Sequence, residues 1–247
     1  AGIRMKAEKD GDEWVLNGQK VWTSGAHFAD YGMIVARSDP TALKHKGLTY
    51  FYVDMKTPGI EAKPIKQISG SANFNEVFFN DVRIPDSQRI GAEGDGWKVS
   101  LTTLMNERLA VGDPPGLDFD QIFEASKEIE VEDGLAVKNS EVRQKMADWY
   151  IQSRGLQYTK YRSMTALSKG QTPGPELSIS KLVTASKMQD VSSYALDLMD
   201  MSGMVHQDQN PILKNLFQNG YFFSAAMRIA GGTDEVLRNI IAERVLG

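Results

Sequence analysis

The chain has 247 residues, of which 41% are hydrophobic and 24% charged, and its net charge is −4; this is the make-up of a globular protein with one large domain or two small ones, and the charge gives no reason to expect nucleic acid or an anionic membrane as partner. There is no cysteine, which excludes disulfides, thiolate metal sites and cysteine nucleophiles. His27, His45 and His206 stand too far apart for metal-ligand spacing, so no metal is expected, and no apolar run approaches the roughly 18 residues that cross a bilayer.

The chain starts at Ala1 rather than Met and enters strand-like sequence at once, which reads as a fragment or processed product. Arg4 to Ala7 leads into the polar turn Lys9-Asp10-Gly11-Asp12. Glu13 to Leu16 then meets Asn17-Gly18, a hairpin signal because both residues tolerate positive φ, and Gln19 to Ser24 reads as the return strand. Further strands are expected over Tyr31 to Ala36, Leu48 to Asp54 and Glu76 to Phe79, with breakers at Asp39-Pro40, Pro58-Gly59 and Pro64. This spacing predicts a small antiparallel barrel or sandwich.

The pattern changes at the glycine-rich stretch Gly91 to Gly96. It lacks the spacing of a dinucleotide-binding loop, and Glu93 and Asp95 oppose phosphate, so it reads as a domain junction. Beyond it Trp97, Leu101, Leu104 and Met105 fall on one helical face until Pro114-Pro115-Gly116. A weaker helix is expected over Phe119 to Ile129, and Glu128 to Asp133 reads as a solvated loop edge. Ser140 is placed to cap a long helix with the stripe Val142, Met146, Trp149, Ser153 and Leu156. After a turn at Gly170 to Pro175 come helices over Glu176 to Met201 and over Pro211 to Ile229, then a last helix behind Thr233. The predicted class is α+β: a small antiparallel β barrel or sandwich over 1–93, followed by an antiparallel four-helix-bundle-type domain over 94–247.

Three stretches stand out chemically. Asn17-Gly18-Gln19-Lys20-Val21-Trp22-Thr23-Ser24 reads on its pattern alone as a hairpin whose Trp22 packs into the core. Arg228-Ile229-Ala230-Gly231-Gly232-Thr233-Asp234-Glu235 reads as a helix, a two-glycine break and a fresh helix capped by Thr233, with Glu235 as a first-turn acid. Asn106-Glu107-Arg108 lies on the helix after the junction, and the common fate of such residues is an exposed ion pair. Glu107, however, falls among Leu104, Met105, Leu109 and Val111, and a carboxylate in apolar surroundings becomes a useful base.

All three stretches resemble the acyl-CoA dehydrogenase family, whose members carry Asn-Gly-x-Lys-x-Trp-Ile-Thr in the middle β domain and Arg-Ile-Tyr-Glu-Gly-Thr-x-Glu near the end. The resemblance covers the whole chain but about the last three-fifths of a typical member; the family's N-terminal helical domain has no counterpart here. It implies FAD as cofactor, Trp22 stacked on the flavin face, Ser24 hydrogen-bonded near flavin N5 with Thr23 beside it, and Thr233 and Glu235 on the flavin nucleotide. An aromatic plane keeps water from the reduced flavin, and a hydroxyl near N5 stabilises arriving charge.

In most of the family the glutamate of the closing motif is the catalytic base, and here that position is Gly231. A minority branch keeps the base in a Glu-Arg pair on the earlier helix, which Glu107 and Arg108 match. The resemblance therefore implies Glu107 as relocated base and Arg108 as its orienting neighbour. The family's Arg-x-x-Phe-Gly grip on the partner subunit's flavin is missing, Phe119 to Phe123 lying in its place, and Asp200 to Met204 matches the family's dimer-interface loop poorly.

By resemblance the activity is α,β-dehydrogenation of an acyl-CoA to trans-2-enoyl-CoA, with electrons passed to an electron-transfer flavoprotein. The implied assembly is a homo- or hetero-dimer or tetramer in a bacterial cytoplasm. Two alternatives stay open: a non-catalytic subunit of a heteromeric enzyme, and a flavin oxidase of the same fold.

Overall fold

The computed structural model describes residues 2–110, 117–171, 174, 177–205 and 215–247, without the side chains of 105–110 and 177. The chain divides into two compact units, Ala1–Leu109 and Ala110–Gly247.

The first unit is one seven-stranded sheet: β1 (Lys6–Asp10), β2 (Glu13–Ser24), β3 (Tyr31–Arg37), β4 (Leu48–Asp54), β5 (Ile60–Ile65), β6 (Phe74–Pro85) and β7 (Arg89–Ile90). The order across it is β5-β6-β2-β1-β3-β4-β7. All pairings are antiparallel except β1–β3, so the sheet is mixed where an antiparallel one was expected. The cause is the path of the chain. β3 reverses the direction of β2 but pairs on the free edge of β1, and so it runs parallel to β1.

The expected hairpin at Asn17-Gly18 does not form. The tight turn lies at Gly11-Asp12, and β2 runs unbroken through Asn17. There β6 offers two residues, Asn80 and Asp81, against the single Asn17. Asp81 takes φ +49°, its N–H donates to the Asn17 side chain at 2.9 Å, and the Asn17 amide donates back to its carboxylate at 2.9 Å. Asn17 thus pins a β-bulge rather than turning a hairpin. The bulge shifts the inward parity of β6, from Val77 and Phe79 to Val82 and Ile84, so both halves reach the core. Trp14, Leu16, Ile34, Phe51 and Val53 complete that core. Pro64 sits within β5, where an edge strand tolerates the missing N–H.

The glycine-rich stretch is built against β4. The Gly94 N–H donates to the buried Thr49 hydroxyl at 3.1 Å. A Cβ on Gly96 would stand 2.7 Å from the Leu48 backbone, so this approach requires glycine. Helix α1 (Gly96–Ala110) starts here, with Trp97 stacked on His45 at 4.3 Å.

The described residues of the second unit form α2 (Phe119–Ser126), the short hairpin β8 (Glu130–Val131) and β9 (Gly134–Leu135), and then α3 (Ser140–Ser168). α4 (Leu177–Leu198), α5 (Met201–Met204), α6 (Leu216–Met227) and α7 (Asp234–Arg244) follow. The acidic stretch read as a loop edge is that hairpin, and α2 stops at Ser126, short of the expected Ile129. Asn139, not Ser140, caps α3, its side chain accepting from the N–H groups of Glu141 and Val142. Val142, Met146 and Trp149 of the expected stripe are buried with Ile122, Val191, Ala195 and Phe217. Pro211, expected at a helix start, lies outside the described residues. Among the described residues, no helix is long and apolar enough to cross a membrane, and no group of His, Asp and Glu could hold a metal.

Candidate active site

Trp22 owes its position to a second bulge. Between the pairs Lys20–Val77 and Thr23–Asn75, β2 has two residues, Val21 and Trp22, against the single Glu76 of β6. Trp22 takes φ +59°, a conformation that costs a bulky residue on the order of 1–3 kcal/mol and marks a functional position when the surroundings enforce it. The core packing suggested by the pattern alone is not what the structure has: Trp22 is 63% exposed, and Phe74 meets it in a T-shaped contact with ring centroids 6.1 Å apart. Thr23 is half-buried. Ser24 is exposed, and its hydroxyl has no hydrogen-bond partner among the described residues. The strand therefore holds out an aromatic plane and, two residues on, an unspent hydroxyl. That donor set fits an isoalloxazine ring: a stacking surface and a hydrogen bond, with no charge to desolvate.

Glu107 and Arg108 belong to the last turn of α1, so the helix expected around them is present. Their side chains lie outside the described residues.

The closing motif folds as its pattern predicts. Arg228 ends α6, Gly231 and Gly232 take φ +67° and +106°, and Thr233 caps α7 by accepting the Val236 N–H at 3.3 Å. The Glu235 N–H and the Thr233 hydroxyl hold the Glu235 carboxyl below its usual range. Both residues are thus engaged in capping contacts. Among the described residues, nothing lies within 4 Å of where a Cβ on Gly231 would stand. α4 holds this turn: Lys181 donates to the Gly232 carbonyl at 2.7 Å, and Gln189 accepts from Arg228 at 2.8 Å. Arg228 also pairs with Asp234, which is 3% exposed, at 2.7 Å.

Sequence reasoning missed the polar groups that brace these segments. Asn75 and Lys20 flank the Trp22 bulge, and Lys187 sits inside the helical unit against Asp118. Lys20 could have been found as the lysine of the Asn-Gly-x-Lys-x-Trp stretch, and Lys187 as a lone cation among Val183, Ala185, Met188 and Val191. Phe119 and Phe123, in the place of the family's arginine motif, stack on each other at 5.4 Å, and the Lys127 ammonium lies over the Phe123 ring, 4.6 Å from its centroid.

Comparison with known proteins gives a consistent answer. The family model "Acyl-CoA dehydrogenase, middle domain" matches residues 1–82, and "Acyl-CoA dehydrogenase, C-terminal domain" matches residues 94–246. Acyl-CoA dehydrogenase FadE34 of Mycobacterium tuberculosis is 36% identical over 249 residues, covering all of this chain and 33% of that protein. Acyl-CoA dehydrogenase IpdE1 of the same organism is 36% identical over 248 residues, covering 100% of this chain and 63% of that protein. This chain therefore spans between one third and somewhat under two thirds of these relatives. Among solved structures, the Tcur3481-Tcur3483 steroid ACAD superposes with a TM-score of 0.84 at 26% identity, over 98% of this chain and 62% of that one. Butyryl-CoA dehydrogenase from Megasphaera elsdenii shares the fold, with a TM-score of 0.80 at 22% identity, over 100% of this chain and 64% of that one. With the matched ranges, the bulge-borne Trp22 and the closing motif in agreement, the chain belongs to the acyl-CoA dehydrogenase family.

Proposed function

We propose that the protein containing this chain is an FAD-dependent acyl-CoA dehydrogenase, with a middle β domain over 1–93 and a helical domain over 94–247. The observation that carries this reading is the strained, exposed Trp22 followed by exposed Ser24, whose hydroxyl has no hydrogen-bond partner among the described residues. Glu107 takes the α-proton of the thioester, with Arg108 orienting it. FAD, when bound, supplies the acceptor for the β-hydride, so that the acyl chain leaves as the trans-2-enoyl thioester. Trp22 shields the ring face from water, Thr23 and Ser24 line its reactive edge, and Thr233 and Glu235 face its nucleotide end. The electrons pass on to an electron-transfer flavoprotein, and the enzyme works as a homo- or hetero-oligomer in the bacterial cytoplasm.

The substrate class we assign is a bulky, ring-bearing acyl-CoA. Gly231 leaves open space among the described residues where most of the family places a glutamate, and one similar solved structure is that of a steroid ACAD. The test is the visible spectrum of the full-length protein under anaerobic conditions, before and after addition of polycyclic, branched and straight-chain acyl-CoAs. Bleaching by the polycyclic thioester is the expected result; a flavin band that no thioester bleaches overturns the reading. Oxygen consumption by the reduced protein would identify an oxidase instead.

Gly231 also favours a second reading, a non-catalytic subunit supporting an active partner, since that position cannot accept a proton. Purification without flavin, and turnover only after a partner chain is added, would establish it. Under the first reading Trp22→Ala weakens FAD binding about ten-fold, the worth of one lost aromatic stack. Ser24→Ala is expected to weaken it only a few-fold, since a single neutral hydrogen bond contributes about 1 kcal/mol. Titration of flavin fluorescence measures both.

A further inference from the structure

We propose that Asn75 is a positioning residue that fixes Trp22 in its exposed, left-handed conformation, with Lys20 as a second pin on the other side of the bulge. Asn75 is fully buried within β6 and lies opposite Thr23, the residue after Trp22. Its side-chain N–H donates to the Thr23 carbonyl at 2.9 Å, and its carbonyl lies 3.1 Å from Nδ1 of His27, which donates when protonated there. Both ends of one amide are thus spent on the segment from Thr23 to His27. Only asparagine suits this place: aspartate would offer acceptors alone and face the Thr23 carbonyl with repulsion, and an apolar residue would leave that carbonyl unsatisfied.

Lys20 is the last paired residue before the bulge. Its ammonium reaches across the sheet to donate to the Val35 carbonyl at 2.6 Å, and burial pushes its pKa down. Phe74, next to Asn75, meets Trp22 edge-on. A bulge held from both sides cannot relax by slipping one residue, a slip that would send Ser24 to the opposite face of the sheet. The strain at Trp22 is therefore maintained by bonds that the tryptophan itself does not make.

The proposal rests on the flavin reading for its purpose but not for its test. The first readout is the time-resolved anisotropy of Trp22 in the whole chain without ligand. It is isolated by subtracting the same variant carrying Trp22→Phe, because Trp14, Trp97 and Trp149 also emit. Asn75→Ala and Asn75→Asp are both expected to raise the fast, local component several-fold. Asn17→Ala, which loosens the bulge of β6 at Asn80 and Asp81, is expected to leave it unchanged. Lys20→Met, which keeps the stem and removes the donor, is expected to act like Asn75→Ala and serves if the Asn75 variants do not fold. In wild type the second readout, FAD affinity, is expected to exceed that of Asn75→Ala about ten-fold. Unchanged Trp22 motion in the Asn75 and Lys20 variants, wild-type behaviour of Asn75→Asp, or an equal effect of Asn17→Ala would overturn the proposal. If the wild-type chain takes up no FAD while Trp22 is released as described, the flavin reading fails and the positioning role stands.

Discussion

Replacing Glu107 by glutamine is expected to slow reduction of the bound flavin by acyl-CoA roughly 10²–10⁴-fold, the usual contribution of a positioned general base. The amide has the shape of the carboxylate but cannot accept the α-proton. Glutamine and glutamate have nearly equal helix propensity, so α1 (Gly96–Ala110) should form as before and the unfolding free energy measured in urea should stay within about 0.5 kcal/mol of wild type. Substrate affinity is expected to change only a few-fold, and stopped-flow reduction with equilibrium titration separates the two quantities. A partial recovery is expected from adding Gly231→Glu, which puts a carboxylate where most of the family has one. There is room for it, since none of the described residues lies within 4 Å of a Cβ at that position. Its φ of +67° is unfavourable for a non-glycine residue by about 1–2 kcal/mol, so the recovery should be incomplete and the double variant somewhat less stable. Reduction of the single variant at the wild-type rate would place the base elsewhere.

What the sequence could show was local. Helix α7 behind Thr233, the break at Gly231-Gly232 and the buried stripe of α3 follow from capping chemistry and a 3.6-residue period, and all are present. The reading of Asn17-Gly18 failed because the same dipeptide that turns a hairpin also suits a bulge. The difference was set by Asp81, 64 residues away, which supplies both hydrogen bonds to Asn17. Trp22 was legible as a family residue, but its left-handed backbone was not, because the one-residue mismatch with β6 exists only once the two strands pair. Lys187 was legible as a cation in an apolar stretch, yet its partner Asp118 lies 69 residues earlier. Residue types and periods show which groups must be satisfied; the partners that satisfy them are a property of the fold.

That last pair carries the largest stability effect expected outside the hydrophobic cores, and the effect is asymmetric. The Lys187 side chain is 1% exposed and donates to Asp118 at 2.7 Å and to Ser153 at 2.8 Å, while Ser153 also bonds Asp118. Asp118 caps α2, its carboxylate accepting the Phe119 N–H. One charged cluster thereby ties α2, α3 and α4 together. Asp118→Ala removes the cap and leaves an ammonium unpaired in an apolar interior, which is expected to cost about 3–5 kcal/mol in urea denaturation. Lys187→Met removes the buried charge and fills its volume. Asp118 keeps Ser153, Phe119 and partial access to water, so this variant is expected within about 1 kcal/mol of wild type, in either direction. The pH dependence should separate the two roles further. Burial raises the Asp118 pKa, but Lys187, Ser153 and the Phe119 N–H outweigh it and leave the carboxyl below its ordinary value of 3.8. A carboxyl depressed on folding stabilises above its unfolded pKa, and that contribution fades as pH falls through 3.8 towards the folded value. Lys187→Met should therefore lose less stability than wild type between about pH 5 and pH 2. Equal acid sensitivity would mean that Ser153 and the helix N-terminus, not the lysine, hold the Asp118 proton off.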